Sequence, residues 1–399
     1  MNHSFRPQVL LALSLISCGP LAQSQISGRT DDRAQPGTFP VEEIRAFLAD
    51  EANHQTLVIE APLGITSDPN ERVPSDNPMT PAKVELGRQL YFDKRLSRDE
   101  TISCASCHDP AKGWTDNLPV SPGIDGQLGG RSAPTVINRV LGPAQFWDGR
   151  AASLEEQAVG PIGNPIEMGF TTEEASARLN AIEGYRIQFE RVFGGPANED
   201  RIGKAIAAFE RTIVSGASRF DYYQQAEPWF DWDPEEEEDP EFLALGNRIL
   251  DQEAEHRMSD SAWRGMDLFF DKANCSACHV GEDLTDELFH NIGIGFEEGR
   301  DTPPDPGRSV VSGNEADFGA FRTPSLRNIA LTAPYMHDGS LATLMDVVEH
   351  YDQGGHANPT QSDKIFALNL TEDEKHDLVR FLEEALTGRI TEVEVPRLP

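Results

Sequence analysis

Two short stretches of this chain bring sulfur and imidazole together: Cys104-Ala-Ser-Cys107-His108 and Cys275-Ser-Ala-Cys278-His279. Two cysteines three apart present both sulfurs to the two vinyl groups of one porphyrin, and the adjoining histidine can turn its imidazole onto the iron. Each stretch therefore reads as an attachment site for one haem c, with Cys104, Cys107, Cys275 and Cys278 forming thioethers and His108 and His279 as iron ligands. Two other chemistries use paired cysteines. A structural zinc site would need the distant pairs to meet in one tetrahedral cluster, and it leaves each trailing histidine without a task. A redox-active Cys-x-x-Cys belongs on a thioredoxin-like strand pattern, which is missing here. Haem alone does not make an enzyme, because electron carriers close both axial positions of iron whereas peroxidases keep one open.

Each motif needs a helix to hold it. Thr80-Pro81 has the form of a helix start, with Thr80 capping, and Val84, Leu86, Leu90 and Tyr91 supply an apolar stripe. The run Gly87-Arg88-Gln89-Leu90-Tyr91-Phe92-Asp93-Lys94 before the first motif is echoed by Gly265-Met266-Asp267-Leu268-Phe269-Phe270-Asp271-Lys272 before the second. Two well-separated copies suggest duplicated domains. Helical periodicity is also clear at Ile202 to Val214 and at Leu378 to Leu386, the latter opened by the capping-box pattern Thr371-x-x-Glu374. Strand signals are sparse. The expected fold is mainly α, with two cytochrome c-like haem domains, long Gly/Pro-containing loops and an N-terminal extension. Residues 25–78 read as a polar tether and lead-in with one helix at Val41 to Asp50. The haem domains are placed at 79–235 and 236–399, divided in the acidic run between Pro228 and Glu241.

Composition narrows the function. With 34 basic against 67 acidic side chains the formal charge is −33, which repels nucleic acid and would steer in a cationic partner, although it also suits a solvated acidic surface. Residues 1–24 resemble a secretory signal peptide, with Arg6 ahead of the short apolar run Val9 to Ile16. Two processing outcomes stay open: cleavage after Ser24, or lipoprotein-type cleavage that leaves Cys18 as a lipidated first residue. Either implies export to the periplasm, in the second case anchored to a membrane. The four remaining cysteines all lie in the two haem motifs, so none is left for a structural disulfide.

Across residues 78 to 388 the sequence resembles the bacterial dihaem cytochrome c peroxidase and MauG superfamily. The resemblance is carried by both haem motifs and by Leu86-Gly87-Arg88-Gln89-Leu90-Tyr91-Phe92-Asp93, Gln145-Phe146-Trp147-Asp148-Gly149-Arg150-Ala151, Asn164-Pro165-Ile166-Glu167-Met168 and Phe321 through Gly339. It implies that the His108 haem is the peroxide site and the His279 haem an electron-transfer site. Trp147 would relay an electron between them, and Gln157 and Glu167 would stand over the peroxide haem. Glu167 would shuttle a proton between the peroxide oxygens, while Gln157 orients peroxide by hydrogen bonding. A bridging calcium is implied as well, with Thr332 and Pro334 as carbonyl ligands and Ser132 where the family has asparagine.

Two departures from the family pattern sharpen the expectation. Peroxidases that need reductive activation carry a blocking histidine sixteen residues beyond the first proximal histidine, where this chain has Ile124. An open first haem follows. The family's peroxidases place methionine fourteen residues after the histidine of Pro-Tyr-x-His, whereas this chain has Tyr351, as MauG does at the matching place. Phenolate is a hard donor that favours oxidised iron. Met336, Met345 and His350 are the fallback ligands, and His337 is expected to hydrogen-bond around the second haem. The implied activity is peroxide-dependent oxidation of a small redox protein such as a cytochrome c, or MauG-like oxidation of a client protein side chain by the haem pair. The non-enzymatic competitor is a dihaem electron carrier or sensor.

Overall fold

The computed structural model describes residues 37–299 and 304–399; the signal segment and Cys18 lie outside them. The chain is mainly helical. In order it forms α1 (Val41–Ala49), α2 (Pro81–Phe92), the one-turn α3 (Cys104–Cys107), α4 (Leu154–Gly163), α5 (Thr172–Ala181), α6 (Glu183–Phe193), α7 (Glu199–Glu210), α8 (Arg219–Ala226), α9 (Pro240–Glu255), α10 (Asp260–Phe270), the one-turn α11 (Ser309–Ser312), α12 (Leu344–Asp352) and α13 (Glu372–Arg380). Four two-residue strands make two antiparallel ladders, β1 (Ser215–Gly216) with β4 (Arg389–Ile390), and β2 (Phe289–His290) with β3 (Phe321–Arg322).

Helix ends follow local chemistry. Thr80 Oγ1 accepts from Lys83 N at 3.2 Å with Pro81 in the first helical position, and Thr371 and Glu374 form the reciprocal capping box of α13. The Ile202–Val214 periodicity overruns its helix. Asn198 caps α7 through Arg201 N, and the chain leaves helix at Arg211, where Thr212 N and Ile213 N bond to Phe209 and Glu210 carbonyls in tight turns that feed β1. The periodicity at Leu378–Leu386 likewise covers two pieces, the end of α13 and a π-helical turn over Phe381–Ala385.

The sequence echo corresponds to a repeated packing unit. A Cβ built on Gly87 of α2 would lie 1.9 Å from the Ala205 carbonyl of α7; one on Gly265 of α10 would lie 2.0 Å from the Asp377 carbonyl of α13. Only hydrogen lets the backbones approach so closely. Four residues on from each carbonyl stands a phenylalanine that meets the echo's own aromatic side chain: Tyr91 with Phe209 at 5.1 Å and Phe269 with Phe381 at 5.3 Å between ring centroids. A haem motif follows each unit in sequence.

Two hydrophobic cores grow around these pairs. The first runs from Leu86 to Ile213 and the second from Phe220 to Leu386, so core membership changes between Ile213 and Phe220, ahead of the acidic run. Residues 41–79 lie on the first core, with Ile44 and Leu48 against Ala82 and Ile187, and Ile59 and Met79 against Val140 and Ala208. Segment 389–399 returns to the same unit, with Thr391 N on Val214 O at 3.0 Å, Phe39 N on Leu398 O at 2.8 Å and Arg95 Nη1 on Pro399 O at 3.0 Å. Between the cores, Asp283, which accepts from Asn138 at 2.8 Å, and Glu282, which accepts from Thr66 and Ser67, tie the two halves together. Gly87→Ala and Gly265→Ala are each expected to lower unfolding free energy by about 1–3 kcal/mol in denaturant titration, the cost of overpacking. Gly163→Ala, at the open end of α4 with nothing within 4 Å, should stay within about 0.5 kcal/mol of the parent.

Candidate haem centres

Each cysteine pair opens onto its own cavity. Cys104, Cys107 and His108 border one of about 530 Å³; Cys275, Cys278 and His279 border a more apolar one of about 210 Å³. The pairs do not meet, which removes the single zinc cluster, and all four thiols are free of disulfides. The two histidines are held alike. His108 Nδ1 lies 3.3 Å from Trp114 O and His279 Nδ1 lies 2.9 Å from Leu284 O, each carbonyl being offered by a residue with positive φ (64° and 51°). With Nδ1 engaged as a donor, Nε2 is the nitrogen left for a metal. Burial pushes both imidazoles below their ordinary pKa, towards the neutral form a metal needs. Apolar walls, tethering thiols on the rim and an oriented imidazole suit haem c in both places.

α4 and the loop after it also line the first cavity. Gln157 of α4 borders the cavity, and its side-chain amide has no hydrogen-bond partner among the described residues. Glu167 borders it too; burial raises its carboxyl pKa, against opposing pulls from Arg150 and from Asn164, whose Nδ2 donates to Oε1 at 2.9 Å. Ile124 is fully buried and does not line the cavity. Its N–H donates to Glu167 O at 2.9 Å, and a Cβ on Gly169 would lie 2.1 Å from its Cδ1, so the Ile124 loop is wedged behind the Glu167 loop and supports it.

The second cavity is lined differently. Tyr351 of α12 is half-buried and borders the cavity, and its hydroxyl has no partner among the described residues. Burial raises the phenol pKa far above its ordinary value, so only a metal cation would hold it as phenolate. Met336 also borders this cavity. Met345 and His350 do not, and His350 Nε2 is engaged with Ile292 O at 2.9 Å. His337 stacks on Phe321 at 3.6 Å between centroids.

Ser132, Thr332 and Pro334 border the same cavity. Asn117 Nδ2 bonds the carbonyls of Leu331 and Ala333 at 3.0 and 2.9 Å, leaving the alternate carbonyls of Thr332 and Pro334 without donors among the described residues. These oxygens suit a calcium ion by type, although the three-residue set includes no carboxylate.

One wall is common to both cavities: Ser132 to Thr135, Arg139, Trp147 and Arg322. Trp147 donates its indole N–H to Ser132 O at 2.8 Å and accepts Arg322 N on its carbonyl at 2.8 Å, so it is fixed at both ends between the two centres. Sequence reasoning singled out neither arginine, nor Arg150, nor Glu210. Glu210, at the end of α7, borders the first cavity fully buried, with Oε2 unpartnered, and burial pushes its carboxyl up to about 8.

A family model described as di-haem cytochrome c peroxidase matches residues 81–228. The methylamine utilization protein MauG of Methylorubrum extorquens is 38% identical over 330 residues, 82% of this chain and 84% of the relative. This chain belongs to the dihaem cytochrome c peroxidase and MauG family. The cytochrome c551 peroxidase of Nitrosomonas europaea is 37% identical over 84% of this chain and 88% of its own. Among solved structures, a MauG-like protein associated with microbial copper homeostasis superposes with a TM-score of 0.66 at 36% identity, over 79% of this chain and 92% of that one. Membership brings two haems, in agreement with the two motifs, and oxidoreductase chemistry.

Glu210 gives a pH signature. Burial keeps the proton on Glu210 to about pH 8, whereas the unfolded chain releases it in the ordinary carboxylate range, so the native state loses stability as pH rises between the two. Thermal unfolding of Glu210→Gln against the parent should show a stability advantage that grows from pH 5 to pH 8; a pH-independent difference would contradict the buried neutral acid.

Proposed function

We propose that the protein reduces hydrogen peroxide at the His108 centre and recovers the electrons, through Trp147 and the His279 centre, from an external redox protein. What carries this reading is the pairing of Gln157, whose amide is free, with Glu167, whose carboxyl is partly desolvated, over the first cavity, while Ile124 is turned away from it. A carrier that closes both irons has no use for either side chain. A haem c held by Cys104, Cys107 and His108 would supply the redox equivalents for peroxide cleavage. Gln157 orients peroxide through its amide. Glu167 takes a proton from the nearer oxygen and returns it to the farther one, so that the O–O bond breaks with loss of water. Each peroxide consumes two protons and two electrons and leaves as two waters.

Tyr351 favours a second reading. A tyrosine opposite His279 suits a centre that retains oxidising equivalents, and the donor would then be a client protein side chain, with chemistry of the MauG kind. We place the enzyme in the periplasm, as the leader suggests, and assign the two cores to the two haem domains, with calcium at Ser132, Thr332 and Pro334. No helix among the described residues is long and apolar enough to cross a membrane.

Glu167→Gln should lower peroxide turnover by about 10²–10⁴-fold with both haems still attached. Since Glu167 must be ionised to accept the proton, parent turnover should rise with pH through its elevated pKa, a limb that the variant lacks. Unchanged turnover would remove Glu167 from the mechanism, and failure of the resting protein to bind cyanide would favour a carrier. In Tyr351→Phe the spectrum of the second haem should change while the first keeps its own; an unaltered second haem excludes tyrosine ligation.

A further inference from the structure

Arg322 is 3% exposed and stands where the two cavities adjoin. Its Nη1 donates to Glu287 Oε1 and Thr323 O, both at 3.2 Å, and its Nε reaches Phe146 O at 3.4 Å. Its Nη2 has no partner among the described residues. Glu287 is shared, because Arg139 Nη1 lies 2.6 Å from Oε1 and Nη2 lies 3.4 Å from Oε2. Arg139 also donates to Gln145 Oε1 at 3.0 Å and Ala144 O at 2.7 Å. Two buried guanidinium groups thus lean directly on one carboxylate.

Other nearby carboxylates are committed elsewhere. Asp283 accepts from Asn138 at 2.8 Å and Ser325 at 3.1 Å and lies 3.7 Å from Arg327, while Asp148 and Asp305 are held by Arg131 at 2.6 and 2.8 Å. Burial, then repulsion from Arg139, depresses the Arg322 pKa despite Glu287, the mark of a cation short of counter-charge. Leaving a guanidinium N–H unpaired in an interior is costly, and a planar fork is matched by a carboxylate.

We propose that Arg322 is the anion-recognition residue common to both centres, its Nη2 side receiving haem propionate carboxylate at the wall the cavities share. This rests on the reading of both cavities as haem sites. One fixed positive charge on the wall shared by both cavities would stabilise the added electron on a haem held in either, so Arg322 would hold both reduction potentials up and couple them. Through its backbone N–H it also ties that charge to the position of Trp147. It acts through the cofactors and is a positioning residue.

The test uses holoprotein with two attached haems verified by mass, comparing the parent with Arg322→Gln and Arg322→Lys by potentiometric titration and by the propionate-bending bands of resonance Raman spectra. In Arg322→Gln both midpoint potentials should move negative and the propionate bands should shift. Arg322→Lys should keep both potentials near the parent's while the bands still shift, because the charge stays and the fork is lost. Parent-like bands in either variant would show that Nη2 serves a free anion or water and overturn the proposal; movement of only one potential in Arg322→Gln would overturn the shared role. If Arg322→Gln yields no holoprotein, the Raman bands of Arg322→Lys decide alone. None of these readouts needs peroxide turnover, so an inactive enzyme leaves the outcome legible.

Discussion

Backbone against backbone at two glycines is the contact on which the rest of the structure depends. Where Gly87 meets the Ala205 carbonyl and Gly265 meets that of Asp377, a methyl group would force the helices apart. The closeness sets where Tyr91 and Phe269 project and how each chain segment arrives at its cysteine pair. Tyr91 shows the linkage directly: its ring packs on Phe209 and its hydroxyl donates to the carbonyl of His108 at 3.2 Å. A flat, rigid cofactor fixed through two thioethers and one imidazole tolerates little play, so its frame has to be stiff before the pocket can be selective.

From one frame the protein builds two unlike centres. The proximal sides match down to the positive-φ residue that offers its carbonyl to the imidazole. The rest of the linings differ, with Gln157 and Glu167 in one cavity and Tyr351 amid apolar side chains in the other. The repeated packing unit supplies the scaffold, and a few side chains make the two cavities unlike, with Trp147, Arg139 and Arg322 on the wall they share.

Much of this was legible in the chain because it is local. The haem motifs, the Thr80 and Thr371 caps and the glycine-bearing echo are encoded within a few residues of where they act. Arg322 was not legible, since its environment comes from Glu287, Phe146 and Trp147, brought together by tertiary folding. Glu210 reads in sequence as the polar end of a helix, and only packing against the first cavity makes it a buried acid. Ile124 illustrates the middle case. Its side chain rules out iron ligation from sequence alone, but that it lies beneath Gly169 and supports Glu167 depends on a close approach that no periodicity encodes. The α7 boundary was misjudged because an apolar turn into β1 continues the helical pattern after the helix has ended.

The return of segment 389–399 to the first unit gives the molecule a vectorial logic. Phe39 and Leu398 are bonded neighbours, and Val214 is paired through Thr391, so the unit that appears first in the sequence is closed by residues that appear last. During synthesis the second core can assemble from contiguous chain, whereas the first stays open along the edge that residues 389–399 later cover. The first unit is therefore closed only once residues 389–399 have been added, an order set by the path of the chain alone.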